Sequence, residues 1–348
     1  MLDKIGQFII NAAEVLCGYP LFFLLIGGGL YLFISSGAVS IRRLPAALRE
    51  LRSKPDKKAQ NGQISSVQAL ASVVAATVGL GNIAGVAIAL VMGGPGAIFW
   101  MWVSALVGMA TKYHEGVLAI MYKGKDDQGN PQGGPMHIIT RGLGPKWTPL
   151  AKFFAVAGLF GTLCIMNANQ LTEAFMTTFT TPEGVASSNF LTSVGGYLGL
   201  DNVRTYRLLF GAAIAVIVGV VILGGIKRIA RVATIMVPFM VGLYFLMVLF
   251  IIITNIEGVP GVFKSIFAEA FNLRAGFGAL AGIAIIGARR AALVNDAGIG
   301  TASIMHGASR NNQPVREGLI AMLGPSIDSG LVCTLTAIAI LLCGNIDV

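Results

Sequence analysis

The chain has 348 residues, 55% of them hydrophobic and 12% charged, about half the charged share of an ordinary soluble domain. Glycine is heavy too, at 45 residues or about 13% against a usual ~7%, which suits closely packed or interrupted membrane helices. A soluble single-core protein is excluded, and the net charge of +9 becomes a question of where the basic residues lie.

The first apolar stretch, Phe8 to Ile34, is too long for a signal-peptide core and has no clear small-residue cleavage site, so it reads as a retained helix. Windows of about 20 apolar residues then give eight spans: 8–35, 66–92, 96–121, 149–178, 205–225, 232–254, 276–305 and 317–343. Sixteen of the 25 basic residues fall in alternate loops: seven over 42–58, four over 123–146, three over 227–231, and Arg310 with Arg316. The positive-inside rule places those loops in the cytoplasm and both termini outside. The same loops are nearly bare of the aromatics that stack on single-stranded nucleic acid, so no nucleic-acid partner is expected. All four cysteines (Cys17, Cys164, Cys333, Cys343) sit in apolar stretches without metal-ligand spacing and read as reduced packing residues.

Two spans are irregular. The second contains Gly79, Gly81 and Gly85, and the seventh contains Gly276, Gly278, Gly282 and Gly287 ahead of the polar stretch ARRAALVNDAGIGTA. Glycine clustered at membrane depth marks places where a helix unwinds, and unwound backbone there must line a cavity or be buried in protein. Five spans separate one broken helix from the next, the spacing of transporters built from inverted five-helix repeats.

Unwinding within TVGLGN, Thr77 to Asn82, frees carbonyls near Ala75 to Val78 for a small cation and aims the amides of Leu80 and Gly81 at a carboxylate. Thr77 and Asn82 add the neutral oxygens that a hard monovalent cation takes. Close helix packing is the competing explanation of these glycines. A dinucleotide loop is rejected, because it needs an acid about 20 residues on and the next acid is Glu115.

In the fourth span, Asn167, Asn169, Gln170 and Glu173 interrupt an apolar helix; they serve either a substrate amine or neighbouring helices. Lys112 and Glu115 are spaced to pair along one helix face, with His114 beside them. Asp328 stands near the middle of the eighth span, where it needs a cation or a basic partner; Arg289, Arg290 and Asp296 are expected to join it in a gate or charge network. No Ser/His/Asp, Cys/His, phosphate-loop or clustered metal-ligand pattern occurs, so neither an enzyme nor a cofactor is expected, and a channel lacks its ring of like charges.

At these residues the chain resembles the alanine or glycine:cation symporters, the sodium:alanine symporter family of prokaryotes. The resemblance rests on TVGLGNIAGVA (77–87), GGPGAIFWMW (93–102), ATKY (110–113), GGPM (133–136), GGIKRIA (224–230), NDAGIG (295–300) and PVREGLIAMLG (314–324), in order along the whole chain. It implies a leucine-transporter-like inverted-repeat fold in the cytoplasmic membrane, with sodium as coupling ion and alanine or glycine as substrate. VGLGN at 78–82 also looks like the first broken helix of neurotransmitter:sodium symporters. By that similarity the Ala75 and Val78 carbonyls serve one sodium, Thr77 and Asn82 another, and the Leu80 and Gly81 amides the substrate carboxylate. Gly79, Gly81 and Gly282 are expected to line a small pocket, with Thr77 among the substrate contacts, and Asn167 and Asn169 match the family's polar helix positions, the first being usually Gln in relatives.

The resemblance divides a single transporter domain, 1–348, into an extra N-terminal helix and basic loop (1–62), a first five-helix repeat (63–256) and the start of a second (257–348). Two such repeats need ten core helices, so about three are expected to be missing, and a transport-inactive fragment is the alternative to a working symporter.

Overall fold

A computed structural model describes residues 19–53, 63–127, 129–161, 165–180, 182–271 and 277–344, with five isolated positions before residue 17. Cys17, Cys164, Gly276 and the basic Lys54, Lys57 and Lys58 lie outside the described residues. The described chain is mostly helical, and its strands are a small antiparallel ribbon in which Gly124–Lys125 pairs with Pro131–Gln132. The longer helices are α1 (Pro20–Ser35), α2 (Leu44–Leu51), α3 (Ser66–Thr77), α4 (Leu80–Gly93), α5 (Gly96–Met121), α6 (Thr148–Gly161) and α7 (Ile165–Phe175). They continue as α8 (Asn189–Leu198), α9 (Asn202–Ile222), α10 (Gly225–Thr254), α11 (Val259–Ala270), α12 (Phe277–Asn295), α13 (Ala302–Gly307) and α14 (Pro314–Cys343).

By length and apolarity α9, α10 and α14 can each cross a membrane, as can α3 and α4 if taken as one bent span. α9 and α10 are apolar yet mostly exposed, the pattern of a lipid-facing surface. α10 starts earlier than expected: Gly225 takes φ +66°, the left-handed turn that glycine allows, and the basic motif at 227–231 forms the opening turns of the helix.

The chain forms two compact units, residues 1–151 with 233–348, and residues 152–232. In the first, α5 is the central helix, with α11, α12, α13 and α14 packed around it. Small residues permit that approach: a Cβ on Gly116 of α5 would lie 3.0 Å from the Gly318 Cα of α14, the close backbone contact that membrane helices use. Leu90, Ile98, Met101, Ile266 and Ile338 fill one core cluster of this unit; Leu70, Val74, Met109 and Met322 fill another. In the second unit, α7 and α9 are joined by an ion pair between Glu173 and Arg207.

The second span breaks at Val78 and Gly79, and its halves α3 and α4 meet at 47°. A capping box starts α3: the Ser65 hydroxyl accepts the Gln68 amide while Gln68 Oε1 accepts the Ser65 amide at 2.9 Å. The seventh span differs from expectation. The Gly278, Gly282 and Gly287 region is continuous helix in α12, and the break falls later, at 296–301, where Asp296, Gly298 and Gly300 have positive φ. Gly287 serves packing instead, since a Cβ there would stand 2.3 Å from the Ala97 carbonyl.

Candidate ion and substrate site

The break of the second span is closed by its own residues. Asn82, in the first turn of α4, accepts the Gly79 amide on Oδ1 at 2.9 Å, and its Nδ2 donates to the Asp328 carbonyl at 3.2 Å and to Cys333 Sγ at 3.5 Å. Asn82 therefore joins α4 to a π-helical turn of α14, Ser326–Val332. Such a turn adds a residue to the helical repeat and re-aims the side chains that follow it.

That turn delivers Asp328. Its Oδ2 accepts the Thr77 hydroxyl at 2.5 Å, at the last residue of α3, while Oδ1 has no hydrogen-bond partner although the residue is 1% exposed. An isolated carboxylate out of water costs several kcal/mol, about what a bound cation or proton must offset. Thr77 and Asn82 thus meet Asp328 at one point. The flanking Ala75 is exposed and Val78 half-buried. Leu80 and Gly81 open α4, so their amides belong to the unbonded first turn. A Cβ on Gly81 would meet Val294 at 3.7 Å, an ordinary contact, and none would be met at Gly79 or Gly282 within 4 Å.

Beside it lies the second group expected from sequence. Lys112 is 1% exposed, 3.7 Å from Glu115 Oε2, and its Nζ has no hydrogen-bond partner. Lys112 and Asp296 are both within electrostatic range of Asp328. Glu115 Oε1 accepts the Gly298 amide at 2.7 Å, and Asn295 Nδ2 donates to Ser329 at 3.3 Å, so the break after α12 is fastened to α5 and α14. Arg289 and Arg290 do not join this network: Arg289 is exposed, Arg290 reaches Met92 Sδ at 4.0 Å, and among the described residues neither pairs with a carboxylate. Lys112 is the cation whose charge acts on Asp328.

The sequence profile of the sodium:alanine symporter family matches residues 2–348. The chain belongs to this family. Among curated relatives it is 42% identical over 327 residues to the sodium/alanine symporter AgcS of Methanococcus maripaludis, covering 92% of this chain and 67% of the relative. It is 41% identical over 336 residues to an uncharacterized transporter of Haemophilus influenzae, covering 94% and 68%. With the amino-acid carrier protein AlsT of Bacillus subtilis it shares 36% over 342 residues, covering 98% and 68%.

In this member of the sodium:alanine symporter family, Asn167 and Asn169 stand exposed on α7 in the second unit, with Glu173 taken by Arg207. His114 is satisfied locally, its Nδ1 2.7 Å from the Ala110 carbonyl. One constellation went unread in the sequence. Glu317, fully buried at the start of α14, accepts the His306 Nδ1–H at 2.7 Å, the Ser66 hydroxyl at 2.7 Å and Asn311 Nδ2 at 3.1 Å. Lys123, just past α5, donates to the Ser309 and Asn311 carbonyls at 2.7 and 2.8 Å. Burial pushes its ammonium down to about 8, with Glu317 drawing it back up. The signal was a histidine at the edge of a basic loop and a glutamate at the start of the eighth span.

Proposed function

We propose that the chain is a sodium-coupled symporter of small amino acids, alanine or glycine, in the cytoplasmic membrane of a prokaryote. The observation that carries this reading is the Thr77–Asp328 contact at the break of the second span, with one carboxylate oxygen buried and unmatched, in a chain whose family relatives include a named sodium/alanine symporter. Sodium is held by Asp328 Oδ1 and the Thr77 hydroxyl, with the Ala75 and Val78 carbonyls as further oxygen ligands. Asn82 pins the geometry, since its oxygen already serves Gly79. The Leu80 and Gly81 amides take the substrate carboxylate at the positive end of α4, and Gly79, Gly81 and Gly282 line the pocket of a small side chain. The fold is the leucine-transporter-like one, with residues 63–256 as its first repeat and 257–348 beginning its second, and transport proceeds by alternating access.

The test is uptake of labelled alanine into proteoliposomes carrying the 348-residue chain, under an inward sodium gradient, with potassium alone as control. Sodium-dependent accumulation is the expected result. No uptake from a chain shown to be inserted and monodisperse would overturn it in favour of a transport-inactive membrane protein.

A further inference from the structure

After α1 the chain turns sharply, with Gly37 and Ala38 both in the left-handed region at φ +64° and +56°. The turn is pinned: Ser40 is fully buried, and its hydroxyl donates to the Leu106 carbonyl of α5 at 2.7 Å. Helix α2 follows. Its inward face is Leu44, Ala47 and Leu51, spaced i, i+3 and i+7 and packed on the cluster that holds Leu70, Val74, Met109 and Met322. Leu70 and Val74 belong to α3 itself, so α2 lies along the flank of the membrane helices. Leu70 is about 10 Å from Thr77 at 1.5 Å per residue, and half a hydrocarbon core is about 15 Å thick. With the break of the second span near the bilayer centre, α2 stands at the edge of the core, where headgroups begin.

The outer side of this segment carries one sign of charge. Arg42, Arg43, Arg49 and Arg52 are exposed, and among the described residues none of them pairs with a carboxylate; Arg42 reaches the Gly37 carbonyl at 3.5 Å. The single acid over 36–53 is Glu50, which is taken by Arg316 of α14 at 2.6 Å and by the Ser53 hydroxyl at 2.9 Å. Ile41 and Leu48 stand exposed among the arginines. Positive charge that only orients a loop needs neither a pinned turn nor apolar side chains beside it. Guanidinium groups bind phosphate through paired hydrogen bonds, and apolar side chains next to them suit the upper part of an acyl chain.

We infer that the segment 41–52 is a binding surface for an anionic phospholipid. The four arginines take the headgroup phosphate, and Ile41 and Leu48 take the start of the acyl chains. Charge complementarity selects an anionic lipid over a zwitterionic one, and the apolar pair selects a lipid over a free anion. The surface depends on neither sodium nor amino acid.

The experiment is native mass spectrometry of the purified full chain in detergent, titrated with phosphatidylglycerol or with phosphatidylcholine of the same acyl chains. Phosphatidylglycerol is expected to bind roughly tenfold tighter. R42Q/R43Q/R49Q/R52Q should reduce that preference to about twofold or less, with its melting temperature held. K227Q/R228Q/R231Q, which removes three charges from another basic segment, should keep the preference. The assignment is overturned by no preference in the wild type, by a preference that survives in the fourfold variant, by an equal loss in the control variant, or by displacement of the lipid with free glycerol phosphate at the same concentration. If the fourfold variant fails to fold, a photoreactive phosphatidylglycerol on the wild type decides: its label is expected within 39–53, and labelling only elsewhere overturns the surface. Because no transport is measured, failure here leaves the symporter reading standing, and failure of alanine uptake leaves the lipid surface standing.

Discussion

Helices α3 and α14 run side by side and meet through two hydroxyl–carboxylate contacts, eleven residues apart on each helix: Ser66 with Glu317 and Thr77 with Asp328. Both carboxylates are fully buried, yet they are treated in opposite ways. Glu317 collects three side-chain donors, while Asp328 has one and keeps an oxygen bare. A saturated buried anion has no room for a ligand and acts as a fastening; an unsaturated one is a vacancy for a positive charge. Burial and residue type do not separate the two. The count of donors does.

The widest contrast is expected from D328N against E317Q. Amide at 328 removes the charge the cation answers, and sodium-driven alanine uptake should fall by roughly 100-fold, ~2.7 kcal/mol, with the chain still folded. E317Q strips one partner from a buried pair and should instead lower thermal stability by about 3 kcal/mol or more, read as a drop in Tm in detergent. If E317Q abolished sodium dependence and D328N left it intact, the two assignments would have to be exchanged.

The hydroxyls sharpen the same contrast at smaller scale. T77V should raise the sodium concentration for half-maximal uptake by about tenfold, whereas S66A should cost about 1 kcal/mol of stability and leave that midpoint alone. Glycine substitutions separate packing from pocket. G287A drives a Cβ against the Ala97 carbonyl at 2.3 Å and should cost about 1–3 kcal/mol. G81A meets an ordinary contact at 3.7 Å, so its melting temperature should hold and any lost alanine affinity reports the site.

A further effect is in pH. Lys123 titrates at about 8 in the folded chain against 10.5 ordinarily, so between those values the unfolded chain binds the extra proton. Stability should therefore rise as pH climbs from about 8 towards 10.5, and K123M should lose that rise in a urea or thermal titration.

Much of this was readable before any coordinates. Apolar run length and loop charge gave the membrane class, the glycines at 79 and 81 marked the break of the second span, and the i,i+3 spacing of Lys112 and Glu115 foretold their pairing. Other parts were not. Glycine clustering misplaced the break of the seventh span, because Gly287 is there for close approach and the turn belongs to Asp296, Gly298 and Gly300. A non-glycine residue in the left-handed region carries no compositional flag. Asp328 was visible as an anomaly, but its meeting with Thr77 joins positions 251 residues apart and depends on a π-helical turn that no local pattern announces. Arg289 and Arg290 were assigned to it on charge alone, and charge says nothing about which side of a helix faces inward.

The two contacts along α3 also have a mechanical meaning. Ser66 and Thr77 are the first and last residues of a twelve-residue rod, about 16 Å apart at 1.5 Å per residue. A rod fastened at both ends can neither tilt nor roll. Release either end, and the other becomes a hinge about which the whole half-helix swings, with a lever arm long enough to turn an ångström of slack at one carboxylate into a gap at the other.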